Sequence, residues 1–318
     1  MSLGIAAVAF RSEAATTPSV ATIRANGRLV HTMQQAANAG GDIVLSHGEL
    51  PAGTGAAHIR KSVDVLGSGT IVRNQSIEDK GTYVIDADAS FSGLDISGAT
   101  GNGIGAAFRH QSGNLRIART RIHRCENGVL GPAKGPGGEL VMDDCDIVEN
   151  GTGTGQTHGL YVGYLRAFTC LRLRFRATNV GHHIKSRALQ TTILRCEVGT
   201  DFLGNESYNI DAPQGGDVRI EGALLRQGPR TGNAVMLNFG GERNPRSRNS
   251  LTVLHTVFES RAGGIAVRIH RNADIVAQFE NCRFIGVDLP VEGTCVMRDC
   301  THNGRPLRDG RHERATSR

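Results

Sequence analysis

The segment Gly181-His182-His183-Ile184-Lys185-Ser186-Arg187 crowds four cationic or titratable side chains into seven residues. Lys185 is one of 4 lysines, the others being Lys61, Lys80 and Lys134, against 32 arginines, so each lysine is a rare choice in this chain. One chemistry that suits such a set is β-elimination from a uronate sugar. The proton beside the carboxylate must be removed, and its acidity rises only when the carboxylate charge is neutralised. The minimum kit is a neutraliser (Arg, protonated His or a cation) and a base (Lys, His, Arg or Tyr). Lys185 serves as that base if Arg187 and a protonated histidine depress its pKa. A plainer reading stands beside it, in which the strand is a solvated basic face and Lys185 pairs across to Asp211. Such a pair contributes a few tenths of a kcal/mol.

The elements that must position these residues follow from a repeat. Ile96, Ile122, Ile147, Phe175, Val198, Leu225, Phe258 and Phe284 lie 26, 25, 28, 23, 27, 33 and 26 residues apart. Five positions before each stands an apolar residue, as in Phe91, Ile117, Met142 and Cys170. Two positions before stand Leu94, Thr120, Cys145, Leu173, Cys196, Ala223, Thr256 and Cys282. This is period-2 alternation interrupted once by a turn and recurring about every 27 residues. A single unit cannot bury its apolar edge, but stacked units can, each strand pairing with its equivalent about 4.8 Å away. The fold class expected is all-β: a single right-handed parallel β-helix over residues 21–300, of nine or ten coils.

A helix over residues 29–38, stopped by Gly40 and Gly41, is expected to cap the open end of the coil. Strands are expected over residues 42–45 and again before Gly67. Residues 1–20 form an N-terminal extension with an apolar stretch at residues 3–10, for which a trimmed signal peptide is one explanation. Residues 301–318 carry five arginines and read as a disordered basic tail.

Composition narrows the function classes. The chain has 318 residues, 42 of them Gly, no Trp and 4% aromatics, so its core must come from many small aliphatic side chains. The net charge of +6 is half in the tail, and the body therefore lacks a nucleic-acid surface. No run of 18 apolar residues exists to span a membrane as a helix. The seven cysteines show no paired zinc spacing; Cys145, Cys196 and Cys282 are expected inside the coil as packing, while Cys295 and Cys300 are close enough in sequence to bridge.

In a β-helix, inward residues pack and outward residues on successive coils make the site. Strands following the anchor strands should present His158 and Tyr161, then His183, Lys185 and Arg187, then Asn209 and Asp211, then Asn238, then Arg268 and His270. Tyr161, His183, Lys185 and Arg187 are the candidate catalytic set, and His158, Asn209, Asp211, Asn238 and Arg268 the candidate substrate contacts. The 33-residue coil leaves a loop at residues 240–248, read either as a wall of the groove that collects anionic groups or as a solvated insertion.

The order of helix, Gly-Gly, Asp-Ile-Val-Leu and a strand ending at Gly67 resembles the opening of pectate-lyase-like β-helix proteins. Lys185-Ser186 also resembles the Lys-Ser pair of the chondroitinase B and alginate lyase family. That resemblance implies a lysine base and a calcium cofactor. The next coil reads Tyr208-Asn209-Ile210-Asp211-Ala212 where the family has Arg-His-Gly, and Val180 to His183 stand where it has calcium-binding acids. Neutralisation would then fall to Arg187, Arg268 or a histidine, and no metal ligand is assigned.

Other constellations point elsewhere less directly. Asp144 and Asp146 lie on an anchor strand's outer side, without the His or Arg-Ile-Lys that hydrolytic β-helices need. Adjacent His182 and His183 face opposite ways on a strand and do not chelate. The glycines between Gly131 and Gly138 form no phosphate loop. The expectation is a monomeric, periplasmic or secreted polysaccharide lyase acting on an acidic glycan. A non-catalytic glycan-binding or structural β-helix and a glycoside hydrolase are the alternatives.

Overall fold

A computed structural model describes residues 18–135, 137–199, 202–242 and 246–313. The chain winds into a right-handed parallel β-solenoid of about nine turns with a single short α-helix. The repeat anchors pair as the spacing requires. Ile96, Ile122, Ile147, Phe175, Val198, Leu225, Phe258 and Phe284 follow one another in parallel register. All eight are fully buried, and the rings of Phe258 and Phe284 stack at 5.2 Å.

The interruption in the alternation is a left-handed residue three positions before each anchor. Arg119, Asp144, Arg172, Arg195, His255 and Asn281 have φ between 44° and 56°, and glycine takes the place at Gly93 and Gly222. A left-handed L-residue costs about 1–2 kcal/mol. The bend is nevertheless held, because its amide still donates to the neighbouring coil, as from Arg119 to the Asp143 carbonyl and from Arg195 to that of Glu221. The next residue explains the run of small polar side chains. The Thr120 and Thr256 hydroxyls donate to the carbonyls of Ala118 and Leu254 at 2.8 Å, and the Cys145 and Cys196 thiols to those of Asp143 and Leu194 at 3.3 Å. Thr and Cys are thus small enough for the interior and carry the donor this bend can use.

Thr120, Cys145, Leu173, Cys196, Ala223, Thr256 and Cys282 are all buried as one inward set. All seven cysteines are free, so Cys295 and Cys300 do not bridge.

Two ends of the solenoid differ from expectation. The helix spans Met33–Ala39, not residues 29–38. Asn26 and Gly27 turn the chain left-handed, so Arg28–Val30 becomes a short strand antiparallel to Ile23–Ala25. Thr32 then starts the helix with a capping box to Gln35. Within residues 301–312 the expected tail forms short strands. Thr301–His302 and Arg305–Pro306 form a hairpin around Asn303-Gly304, and Gly310–His312 pairs antiparallel with Cys295–Arg298. Asn-Gly is a strong two-residue hairpin signal that the arginine content masked. Residues 1–17 and 314–318, which hold most of the expected extension and the end of the tail, lie outside the described residues.

Cys196→Phe should overpack this interior, lowering stability by about 1–3 kcal/mol. A urea melt of the variant beside the parent chain checks it, with a lower midpoint expected.

Candidate functional site

The residues between the anchor strands build a second sheet of ten parallel strands. Ile184–Ser186 buries Ile184 and Ser186 and leaves Lys185 outward. Register carries that outward position along the solenoid: Tyr161 pairs with Lys185, Lys185 with Asp211, Asp211 with Asn238, Asn238 with Arg268, and Arg268 with Glu292. Five expected site residues therefore form one column, each about 4.8 Å from the next.

His183 and Asn209 do not belong to it. Both stand two positions earlier, where the chain is still turning and the strand has not begun, so alternation does not apply. His183 is fully buried, with Nδ1 at 2.7 Å from the Thr178 hydroxyl and its ring 6.0 Å from that of Phe175. Asn209 is likewise buried, donating to the carbonyls of Arg226 and Val198. They hold the corner of the coil.

His158 is nearly buried and belongs to a different row, one that includes a residue not assigned from sequence. Its ring stacks on His182 at 4.8 Å, and His182 packs on Tyr208 at 4.9 Å. Backbone amides climb the same stack: His158 N–H donates to the Asn127 side-chain oxygen, His182 N–H to His158 Nδ1, and Tyr208 N–H to His182 Nδ1. An amide can only donate, so Nδ1 of both rings is unprotonated and the proton sits on Nε2. Burial, then neighbouring cationic groups including Lys185, push His158 down to about 2 and His182 to about 3. Both rings are neutral and cannot supply the positive charge expected of a histidine beside Lys185. The 24- and 26-residue spacings of His158, His182 and Tyr208 were the available signal.

Arg187 leaves the strand end and folds over Tyr161. Its Nε donates to the Tyr161 hydroxyl at 2.8 Å, and its guanidinium forks onto Glu242, with Nη2 at 2.6 Å from Oε1. Burial opposes its charge, but Glu242 and Tyr161 more than compensate and raise its pKa. Glu242 arrives from the long loop, and Arg246 of the same loop donates to the Arg187 carbonyl. Of the two readings of the loop, the contacts place it beside the column, through an ion pair.

The centre of the column is Lys185 and Asp211. Lys185 Nζ lies 3.9 Å from Asp211 Oδ2 and 5.4 Å from the Tyr161 ring centroid, with its side chain 19% exposed. Among the described residues its ammonium makes no hydrogen bond. Burial lowers the Lys185 pKa, Asp211 opposes that and Arg187 reinforces it. Burial raises Asp211, against the pull of Asn238 and Lys185. Asn238 Nδ2 donates to Asp211 Oδ1 at 2.8 Å, and His270 Nε2 is 2.8 Å from Asn238 Oδ1. Asn238 can accept only if His270 carries its proton there, so the chain runs from His270 through Asn238 to Asp211. At the far end Arg268 donates to Glu292 at 2.7 Å. Among the described residues no three His, Cys, Asp or Glu side chains converge on a metal position, so none is assigned to calcium. No helix there is long and apolar enough to cross a membrane.

No family model matches the chain. Plasmin and fibronectin-binding protein A of Streptococcus pneumoniae is 25% identical over 173 residues, which are 51% of this chain and 24% of that protein. The structure of ORF18 of Geobacillus virus E2 aligns with a TM-score of 0.59 at 14% identity, over 89% of this chain and 58% of that one. The chain therefore spans about a quarter of the pneumococcal protein and just over half of the viral one. The viral likeness shows the solenoid fold alone.

The neutral histidine row gives a pH dependence. Between about 2 or 3 and the ordinary 6.5 the unfolded rings bind protons that the folded rings refuse. Stability is fully present above about pH 6.5 and falls as pH drops, by up to about 1.4 kcal/mol per pH unit for each ring. His182→Asn keeps an acceptor for the Tyr208 amide and removes one titration. Thermal melts from pH 7 to pH 4 should show a shallower acid loss in this variant.

Proposed function

We propose that this β-helix binds and cleaves an acidic, uronate-containing glycan along the Lys185 column, by β-elimination. The observation that carries the reading is the state of Lys185: a largely buried ammonium, lowered in pKa, without a hydrogen bond among the described residues and still partly exposed. In its neutral form Nζ takes the proton beside the uronate carboxylate. The electron pair forms the sugar double bond as the glycosidic C–O bond breaks, and the Tyr161 hydroxyl, already accepting from Arg187, gives its proton to the leaving oxygen. Afterwards the proton that Lys185 gained returns through water to the Tyr161 phenolate, which resets both groups, while Asp211, fixed by Asn238, steadies the ammonium in between. Arg187 neutralises the substrate by exchanging Glu242 for the uronate, one carboxylate for another. Hydrolysis is favoured less, since it asks for two carboxylates flanking the bond. Asp211 is buried, and Glu242 and Glu292 are each held by an arginine. Work on such a polymer suits a periplasmic or secreted monomer.

One observation favours a second reading, a glycan-binding module without turnover. Both arginines of the groove already carry protein carboxylates, and the pneumococcal relative is named for binding.

Incubation with a panel of uronate polymers, followed at the absorbance of the unsaturated product, separates the two. Lys185→Ala should lose about 10²–10⁴ in rate while staying folded by circular dichroism, with a lowered melting temperature because the buried Asp211 loses its cation. Lys185→Arg should rescue poorly, because guanidinium stays protonated. Full turnover in Lys185→Ala would exclude the mechanism; binding without product in the parent chain would establish the module.

A further inference from the structure

The Lys185 column continues toward the N-terminal end of the same sheet. Tyr161 pairs with Leu130, and Leu130 with Arg109. Arg109 is half-buried, yet it makes no ion pair, hydrogen bond or ring contact among the described residues, and its Nε is buried without a partner. The other guanidiniums of this column and its border behave differently: Arg187 is held by Glu242 and Arg268 by Glu292. Burial alone moves the Arg109 pKa, downward, with no charged group contributing. A desolvated guanidinium normally acquires a carboxylate, because an unpaired buried charge is expensive. Here the protein supplies none.

We infer that Arg109 is a remote anion subsite of the groove, which binds a second acidic group of the same glycan. The inference rests on the reading of the Lys185 column as a glycan site and extends it to the length of ligand required. Arg109 and Lys185 are three coils apart, about 14 Å at the spacing of paired strands. A single sugar bound at Lys185 does not reach Arg109, whereas an oligomer lying along the solenoid axis does. Leu130 and Tyr161 occupy the two intervening positions; Leu130 is buried, and the partly exposed Tyr161 is the side chain there on which a sugar ring can rest, with a cation at each end of the span. The planar fork of Arg109 suits a carboxylate or a sulfate ester equally.

The test is calorimetric titration of the full chain with di- and hexasaccharides of a polyuronate, and with a sulfated, uronate-free hexasaccharide. Arg109→Gln should weaken the uronate hexasaccharide about tenfold or more and leave the disaccharide unchanged. Arg109→Lys, which retains the charge, should keep part of the length dependence, and unchanged melting temperatures exclude loss of fold. Lys185→Ala should weaken both lengths. If the sulfated hexasaccharide binds in an Arg109-dependent manner, the anion is general; if only the polyuronate does, it is a carboxylate. Undiminished hexasaccharide binding in Arg109→Gln, with Lys185→Ala impaired, overturns the subsite and leaves the glycan reading intact. Absence of binding by the parent chain to every oligomer overturns both.

Discussion

The register between coils is the constraint on which the rest of the molecule depends. Every strand of the solenoid satisfies its backbone by pairing with the equivalent strand one turn away, and the bend that closes each turn keeps the ladder running through a left-handed residue. A buried backbone group left unpaired costs about 1–3 kcal/mol, so slippage by one residue would penalise many groups at once. It would also turn each inward apolar side chain out. That coupling lets residues as ordinary as Arg119 or Arg195 occupy a conformation that favours glycine.

The same register creates the site. No local motif places Tyr161, Lys185, Asp211, Asn238 and Arg268 together; parallel stacking does, by making equivalent positions neighbours. Two kinds of row result. In the row of His158, His182 and Tyr208 both histidine rings accept the next coil's amide, and His182 Nε2 reaches toward Asp211 of the neighbouring column at 3.5 Å. In the row through Lys185, Asp211 and Arg268 are hydrogen-bonded within the fold, and the Lys185 ammonium makes no hydrogen bond among the described residues. Polar rows look alike in sequence, and whether the donors and acceptors are consumed within the fold distinguishes them.

Electrostatics in the groove are set by burial as much as by partners. Lys185 and Asp211 are each pushed toward neutrality by desolvation and pulled back by each other. Their 3.9 Å separation leaves the pair intact but unsealed. Arg187 and Arg268, by contrast, are paired with Glu242 and Glu292.

The sequence by itself determined the solenoid, its anchor residues, the inward set of Thr and Cys and the alignment of Tyr161 with Lys185, Asp211, Asn238 and Arg268. All of these follow from period-2 alternation inside strands and a repeat near 27 residues. The Asn303-Gly304 pair carries a hairpin signal as well, set among arginines that by composition alone read as a disordered tail. Tertiary structure decided what happens where strands stop. His183 and Asn209 turn inward at a corner, where side-chain direction follows from the bend and no longer from parity. It also decided the partners: Glu242 reaches Arg187 from 55 residues away, His182 is fixed as a neutral ring by an amide of the next coil, and Arg109 is left without a carboxylate. Those outcomes depend on which groups converge across coils and how much water remains between them, and neither quantity is local to the chain.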